Sequence, residues 1–191
     1  MDLLTVKERQ THLKALGFYA GRVDGLEGVQ TSKAYADLQA KYFSRPQDVD
    51  GKYGRNTDNL LRSAVACKDS RYFKLSEFRC KCGGKYCTGY PAALDANLVK
   101  GLNALRARVG TSLSITSGMR CTKWNSIQGG ASGSRHRLGK AADIKGAATS
   151  SKAGRLNVKT IWMSQKGARY TYCADDSTKY KMGTSVHVDV K

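Results

Sequence analysis

Two segments of the chain gather residue types that bind metals: Ser134-Arg-His136-Arg-Leu-Gly139-Lys-Ala141-Ala-Asp143, and His187-Val-Asp189 near the C-terminus. The protein has three histidines, and two of them stand in these segments beside carboxylates. Two imidazoles and one carboxylate fill three positions around zinc and leave a fourth for water, the arrangement of a catalytic rather than a structural site. Zinc brings the pKa of bound water to about 7 and polarises a carbonyl, so this donor set suits amide hydrolysis. Gly139 lets the chain turn after His136, and the strand that follows projects Ala141 and Asp143 to one face, from which the carboxylate returns to the imidazole. His187 completes the set His136, Asp143, His187 from a neighbouring strand. Asp189 lies two residues on and shares its face, which makes it the first candidate for the catalytic acid/base and, alternatively, a group that orients an imidazole. Asp175 and Asp176 are further acid/base candidates.

The elements that must carry these residues read as α+β. Leu94, Leu98, Leu102, Leu105 and Val109 recur at helical spacing through residues 91 to 110, and a second helix is expected within 151 to 165. Leu113 to Thr116, Ala141 to Lys145, Arg169 to Cys173 and Val186 to Val190 read as short strands of a small antiparallel sheet flanked by helices. Tyr170 and Tyr172 are expected to pack on that sheet, and Trp124 and Trp162 to lie in the core.

The first 66 residues have a different pattern. Asp24-Gly25-Leu-Glu-Gly28-Val-Gln-Thr31 recurs as Asp50-Gly51-Lys-Tyr-Gly54-Arg-Asn-Thr57. Asp caps a tight turn, glycine permits positive φ, and Thr is expected to cap the helix that follows, over Ser32 to Tyr42 and then Asp58 to Ala66. Thr5-Val-Lys-Glu8 is a capping box for an earlier helix that stops at Gly17. The expected architecture is a small three-helix domain at 1–66, a polar linker at 67–72 and a catalytic domain at 73–191.

Charge is unevenly shared. Residues 1 to 65 hold 10 Lys/Arg against 8 Asp/Glu, and the remainder hold 23 against 7, so nearly all of the net +18 lies in the second part. Such a surface attracts polyanions, but its basic residues are scattered with little aromatic interleaving, which argues against a specific nucleic-acid groove. No apolar run approaches the roughly 18 to 20 residues needed to span a bilayer, and the N-terminus lacks the basic and apolar regions of an export signal. Of the six cysteines, Cys80, Cys82 and Cys87 cluster. Cys121 is the candidate fourth ligand of a second, structural zinc ion, with a disulfide or free thiols as the alternatives.

Gln10-Thr-His-Leu13-Lys-Ala-Leu16-Gly17-Phe18-Tyr19, together with the two Asp-Gly-x-x-Gly-x-x-Thr copies, resembles the peptidoglycan-binding domain found at the ends of many wall hydrolases. Ser117-Gly118-Met119-Arg120, Asn125, Gly129-Gly130, then Ser134, His136, Gly139, Ala141, Asp143 and finally His187 resemble the zinc peptidases that include D-Ala-D-Ala carboxypeptidases and the L-alanyl-D-glutamate endopeptidases of phage endolysins. The resemblance implies that His136, Asp143 and His187 hold zinc. It also implies that Arg120 stabilises the oxyanion or grips a substrate carboxylate, and that Ser134 helps bind substrate. Many members place Asp or Glu three residues before the last zinc histidine, where this chain has Thr184, so the acid/base role falls to Asp189. The expected protein is a monomeric endolysin made without a signal peptide in the bacterial cytoplasm, acting at the wall on peptidoglycan and its anionic polymers. A wall-binding protein with a retained but inactive zinc site, and a D-Ala-D-Ala carboxypeptidase, are the alternatives.

Overall fold

The computed structural model describes residues 2–176 and 180–191. Three helices open the chain, α1 (Val6–Ala15), α2 (Val29–Tyr42) and α3 (Arg55–Cys67). Helix α1 starts where its sequence says it should, with Thr5 and Glu8 forming a reciprocal capping box. Helices α2 and α3 start three residues earlier than expected. Their N-caps are Gly28 and Gly54, which make no side-chain cap bond, so Thr31 and Thr57 are not caps but buried first-turn residues.

Two buried glutamines explain the position of those threonines. The Gln39 carboxamide donates to Asp50 Oδ1 (2.9 Å), the Lys52 carbonyl (3.0 Å) and Thr57 Oγ1 (2.9 Å). Its Oε1 accepts from the backbone N–H groups of Asp50 and Gly51. Gln10 does the same in the first copy, donating to Asp24, the Leu26 carbonyl and Thr31 and accepting from the Gly25 N–H. Each Asp-Gly turn is thus closed by an amide from the preceding helix, and the Thr supplies one more acceptor for that amide.

The second part contains α4 (Ala96–Val109), β1 (Leu113–Ser117), α5 (Thr122–Ile127), β2 (Ala141–Gly146), α6 (Lys152–Met163), β3 (Ala168–Cys173) and β4 (Val186–Val190). Helix α4 begins after Leu94 because Asp95 caps it, accepting from the Asn97 N–H, and it ends at Gly110 in the left-handed region. The four strands form one antiparallel sheet in the order β1-β2-β4-β3. Its inner face packs on α4 and α6 through residues such as Leu98, Leu102, Val158 and Trp162, with Val186, Val188 and Val190 on the central strand β4. The register sets Asp143 of β2 opposite His187 of β4, and Tyr172 of β3 opposite the same His187.

The two parts share one buried cluster running from Leu13 and Tyr35 through Phe73 and Tyr90 to Trp162. The 67–72 segment is held on both sides. Cys67 closes α3, its thiol reaching the Phe73 carbonyl, and the Asn103 carboxamide of α4 accepts from the N–H groups of Arg71 and Tyr72. Asp58 ties down the N-terminus by accepting from the Leu4 N–H, Tyr53 Oη and Arg62. Burial alone would raise its carboxyl, but these three donors and the Arg62 charge hold it below the ordinary carboxylate range.

Two outcomes follow from these contacts. Gln39→Leu keeps the volume but orphans the N–H groups of Asp50 and Gly51, so it should lose about 2–4 kcal/mol in urea denaturation; a loss under about 0.5 kcal/mol would mean the amide does not hold the turn. A folded-state pKa below the unfolded value gives stability that is present above the unfolded pKa and disappears as the folded carboxylate is protonated. Wild-type stability should therefore fall from about pH 5 towards pH 3 more steeply than that of Asp58→Asn; parallel curves would count against Asp58.

Candidate metal centre and catalytic cleft

The geometry begins at Gly118. A Cβ there would lie 2.5 Å from the Phe78 backbone, so only glycine lets the chain run this close, with the Met119 N–H bonded to the Phe78 carbonyl. The Gly118 carbonyl, directed by this packing, lies 2.7 Å from Nδ1 of His136. A carbonyl can only accept, so His136 Nδ1 carries the proton and its Nε2 presents a lone pair. Gly139, at φ +70°, ends the turn containing His136 and passes so close to Ala93 that a Cβ would lie 2.1 Å from its carbonyl oxygen.

His187 is fixed in the opposite sense. Its Nδ1 lies 2.8 Å from Asp143 Oδ1 and 3.2 Å from His136 Nε2, while its Nε2 faces Asp189 Oδ2 at 3.4 Å. The Tyr172 ring stacks on it, centroids 4.4 Å apart and planes at 16°. Asp143 Oδ1 is 3.3 Å from His136 Nε2, and its Oδ2 accepts from Arg120 Nη2 at 2.8 Å. Arg120 Nε in turn donates to Ser117 Oγ.

The donor atoms fit a metal. Ligand atoms about 2.0–2.1 Å from a tetrahedral zinc lie about 3.3 Å apart, and the three separations here are 3.2, 3.3 and 2.8 Å. Proton accounting points the same way. His187 has an acceptor on each side, Asp143 Oδ1 at 2.8 Å from Nδ1 and Asp189 Oδ2 at 3.4 Å from Nε2. With its proton on Nε2 and that of His136 on Gly118, His136 Nε2, His187 Nδ1 and Asp143 Oδ1 turn lone pairs towards one point, the state in which they can hold a cation.

Electrostatics agree with an anionic centre. Burial would raise the Asp143 carboxyl, but in the metal-free chain imidazoles protonated towards it, His136 and His187, hold it far below the usual range by hydrogen bonds and charge, the part a cation takes when those nitrogens are bare. Burial would lower His187, and the carboxylates of Asp143 and Asp189 reverse this and raise it. Tyr172 is pushed up to about 12, first by burial and then by the Asp143 charge, so its hydroxyl stays protonated at neutral pH.

An open cleft leads to this centre, lined by His136, His187, Arg120, Ser134, Tyr172 and Asp189 among others. The expected site residues are thus brought together, although Arg120 reaches the centre through Asp143, and Asp189 stands on the far nitrogen of His187. Asp189 also pairs with Arg169 at 3.1 Å. Asp175 and Asp176 are engaged elsewhere, by Arg155 and Lys159 of α6. Asn125 is buried and donates to the carbonyls of Gly130 and Ala131, shaping the cleft wall. The Gly118 carbonyl and the Tyr172 stack were not foreseen. A backbone oxygen leaves no side-chain signature, and a strand tyrosine reads as packing until the register is known.

The sulfurs of Cys80, Cys82, Cys87 and Cys121 form a second group, all within 4.8 Å of one another. Among the described residues no helix is long and apolar enough to cross a membrane.

No curated protein matches the sequence. Family models match at residues 4–61, a putative peptidoglycan binding domain, and at residues 71–189, Peptidase M15. The second match covers more than half of the chain and contains the whole His136, Asp143 and His187 centre, so the protein belongs to the Peptidase M15 family and is a peptidase that acts on peptidoglycan.

Proposed function

We propose that the protein is a zinc-dependent endopeptidase that cleaves the L-alanyl-D-glutamate bond of the peptidoglycan stem and serves a bacteriophage as an endolysin. The observation that carries the zinc reading is the convergence of three ligand atoms, His136 Nε2, His187 Nδ1 and Asp143 Oδ1, at 2.8 to 3.3 Å from one another, with the Gly118 carbonyl and Asp189 placed to take each imidazole proton on the outer side. A zinc ion held there is a Lewis acid for the scissile carbonyl and acidifies water at neutral pH.

The remaining work belongs to the chain. Arg120 holds Oδ2 of Asp143 and so keeps Oδ1 on the centre. With His187 Nδ1 on the metal, Asp189 Oδ2, 3.4 Å from Nε2, is placed to accept the proton there, which makes Asp189 a positioning residue. Tyr172 holds the plane of that ring by stacking, and its protonated hydroxyl suits donation to a developing oxyanion. Ser134, on the cleft wall, contributes to substrate binding.

The endopeptidase reading, over a D-Ala-D-Ala carboxypeptidase, is favoured by Arg120. This residue lines the cleft and is engaged by Asp143 and Ser117, so it is not held ready for a terminal carboxylate. The N-terminal domain delivers the cleft to the wall, and the cationic second part adds attraction to anionic wall polymers. The protein is read as a monomer made in the host cytoplasm. One observation supports a second reading, a wall-binding protein with a retained metal site: Asp189 is tied to both His187 and Arg169, and Thr184 occupies the position of the usual acid.

Purified walls treated with the zinc-loaded protein should release muropeptides with new D-glutamate amino termini, detected by mass spectrometry, and a chelator should abolish release. Normal wall binding without new termini would favour the second reading. Asp189→Ala should weaken zinc binding about 10- to 100-fold, whereas Asp189→Asn, which retains an acceptor, should hold zinc and keep most of the activity. A hundredfold loss of kcat in fully loaded Asp189→Asn would instead make Asp189 the proton carrier.

A further inference from the structure

We propose that Cys80, Cys82, Cys87 and Cys121 bind a second metal ion, a thiophilic divalent cation of which zinc is the natural choice, and that this ion staples the segment that orients His136. The sulfurs come from two distant stretches of sequence, yet all lie within 4.8 Å of one another. Cys82 and Cys87 are 3.5 Å apart. Sulfurs about 2.3 Å from a tetrahedral zinc lie about 3.8 Å apart, whereas a disulfide brings two of them to about 2.05 Å. Four sulfur donors close the coordination sphere, as a structural ion requires, and among the described residues no His, Asp or Glu joins them in the group.

The local fold needs such a link. Between Phe78 and Ala96 the chain has no helix or strand, and Cys80, Cys82, Cys121 and Trp124 form a small cluster apart from the main core. Thiols are weak donors and acceptors, so four of them hold a loop poorly without a shared cation. Gly83, Gly84 and Gly89 at φ +63°, +86° and +111° let the loop curl around the sulfurs.

The staple lies one step from the catalytic centre. The Cys121 N–H donates to Cys80 Sγ, and Cys121 follows Arg120, whose N–H donates to the His136 carbonyl. Cys80 follows the Phe78 turn, on which Met119 and Gly118 rest, and Gly118 supplies the carbonyl that holds His136 Nδ1. On the other side the Cys80 N–H donates to the Gly89 carbonyl, and the Ser44 N–H, just after α2, donates to the Thr88 carbonyl. An ion here fixes both the catalytic wall and its seat on the N-terminal helices; the catalytic consequence rests on reading His136, Asp143 and His187 as the metal centre.

The test uses the full chain, purified under reducing conditions with zinc. Elemental analysis should find two zinc ions per chain in the wild type and one in the Asp143→Ala/His187→Ala double variant. Cobalt substituted into that double variant should show an intense sulfur-to-metal charge-transfer absorption in the near ultraviolet. Cys82→Ser/Cys87→Ser should lose this ion, and its remaining zinc at His136 should bind about 10- to 100-fold more weakly. A double variant without metal, a cobalt spectrum without sulfur charge transfer, or a Cys82–Cys87 disulfide in metal-free active protein would overturn the proposal. If the cysteine variant does not fold, stoichiometry and cobalt spectrum of the double variant still decide. Failure at the cysteines leaves wall cleavage intact, and failure of the catalytic reading leaves the sulfur-bound ion in place.

Discussion

The site depends on where two imidazole protons go. His136 gives its Nδ1 proton to the Gly118 carbonyl, whereas His187 has two acceptors, Asp143 at 2.8 Å from Nδ1 and Asp189 at 3.4 Å from Nε2; with the proton on Nε2 the inner nitrogens and Asp143 Oδ1 present lone pairs in contact range. With that proton on Nδ1 instead, the same residues form an ordinary hydrogen-bonded cluster, with His187 donating to Asp143. The outward acceptors, as much as the ligand atoms themselves, are what would let this His-Asp-His group hold a cation.

Much of the surrounding fold keeps those acceptors in place. Gly118 can offer its carbonyl because it has no Cβ to strike Phe78, and Gly139 returns the chain to β2 because it has none to strike Ala93. The antiparallel register then places Asp143, His187 and Tyr172 side by side across β2, β4 and β3. Trp162 of α6 donates to the Asp189 carbonyl, which ties β4 to the core helix behind the site. In the N-terminal part the same economy recurs, with a buried glutamine satisfying each Asp-Gly turn.

The elements were legible where periodicity and caps agree, as in α1 with its Thr5 and Glu8 box and in the four strands. The candidate ligands could be singled out because the chain has three histidines, two of them beside carboxylates at spacings that a turn and a strand convert into proximity. What escaped the sequence has a common physical cause. Thr31 and Thr57 look like caps, but their role is set by the partners Gln10 and Gln39, whose significance appears only when helix and turn are brought together. Gly118 acts through its carbonyl oxygen, and Asp189 lies beside the outer nitrogen of His187 because the imidazole meets Asp143 through Nδ1, a ring orientation that residue spacing does not encode.

With three histidines in the chain, the imidazole nitrogens can be observed individually. Nitrogen-15 NMR of labelled protein loaded with cadmium-113 in place of zinc reads which nitrogen of each ring meets the metal and which carries the proton. The account predicts metal coupling to His136 Nε2 and His187 Nδ1, with protons on His136 Nδ1 and His187 Nε2 and no coupling at His12. Metal coupling to His187 Nε2, or a proton on His136 Nε2 in the loaded protein, would contradict it.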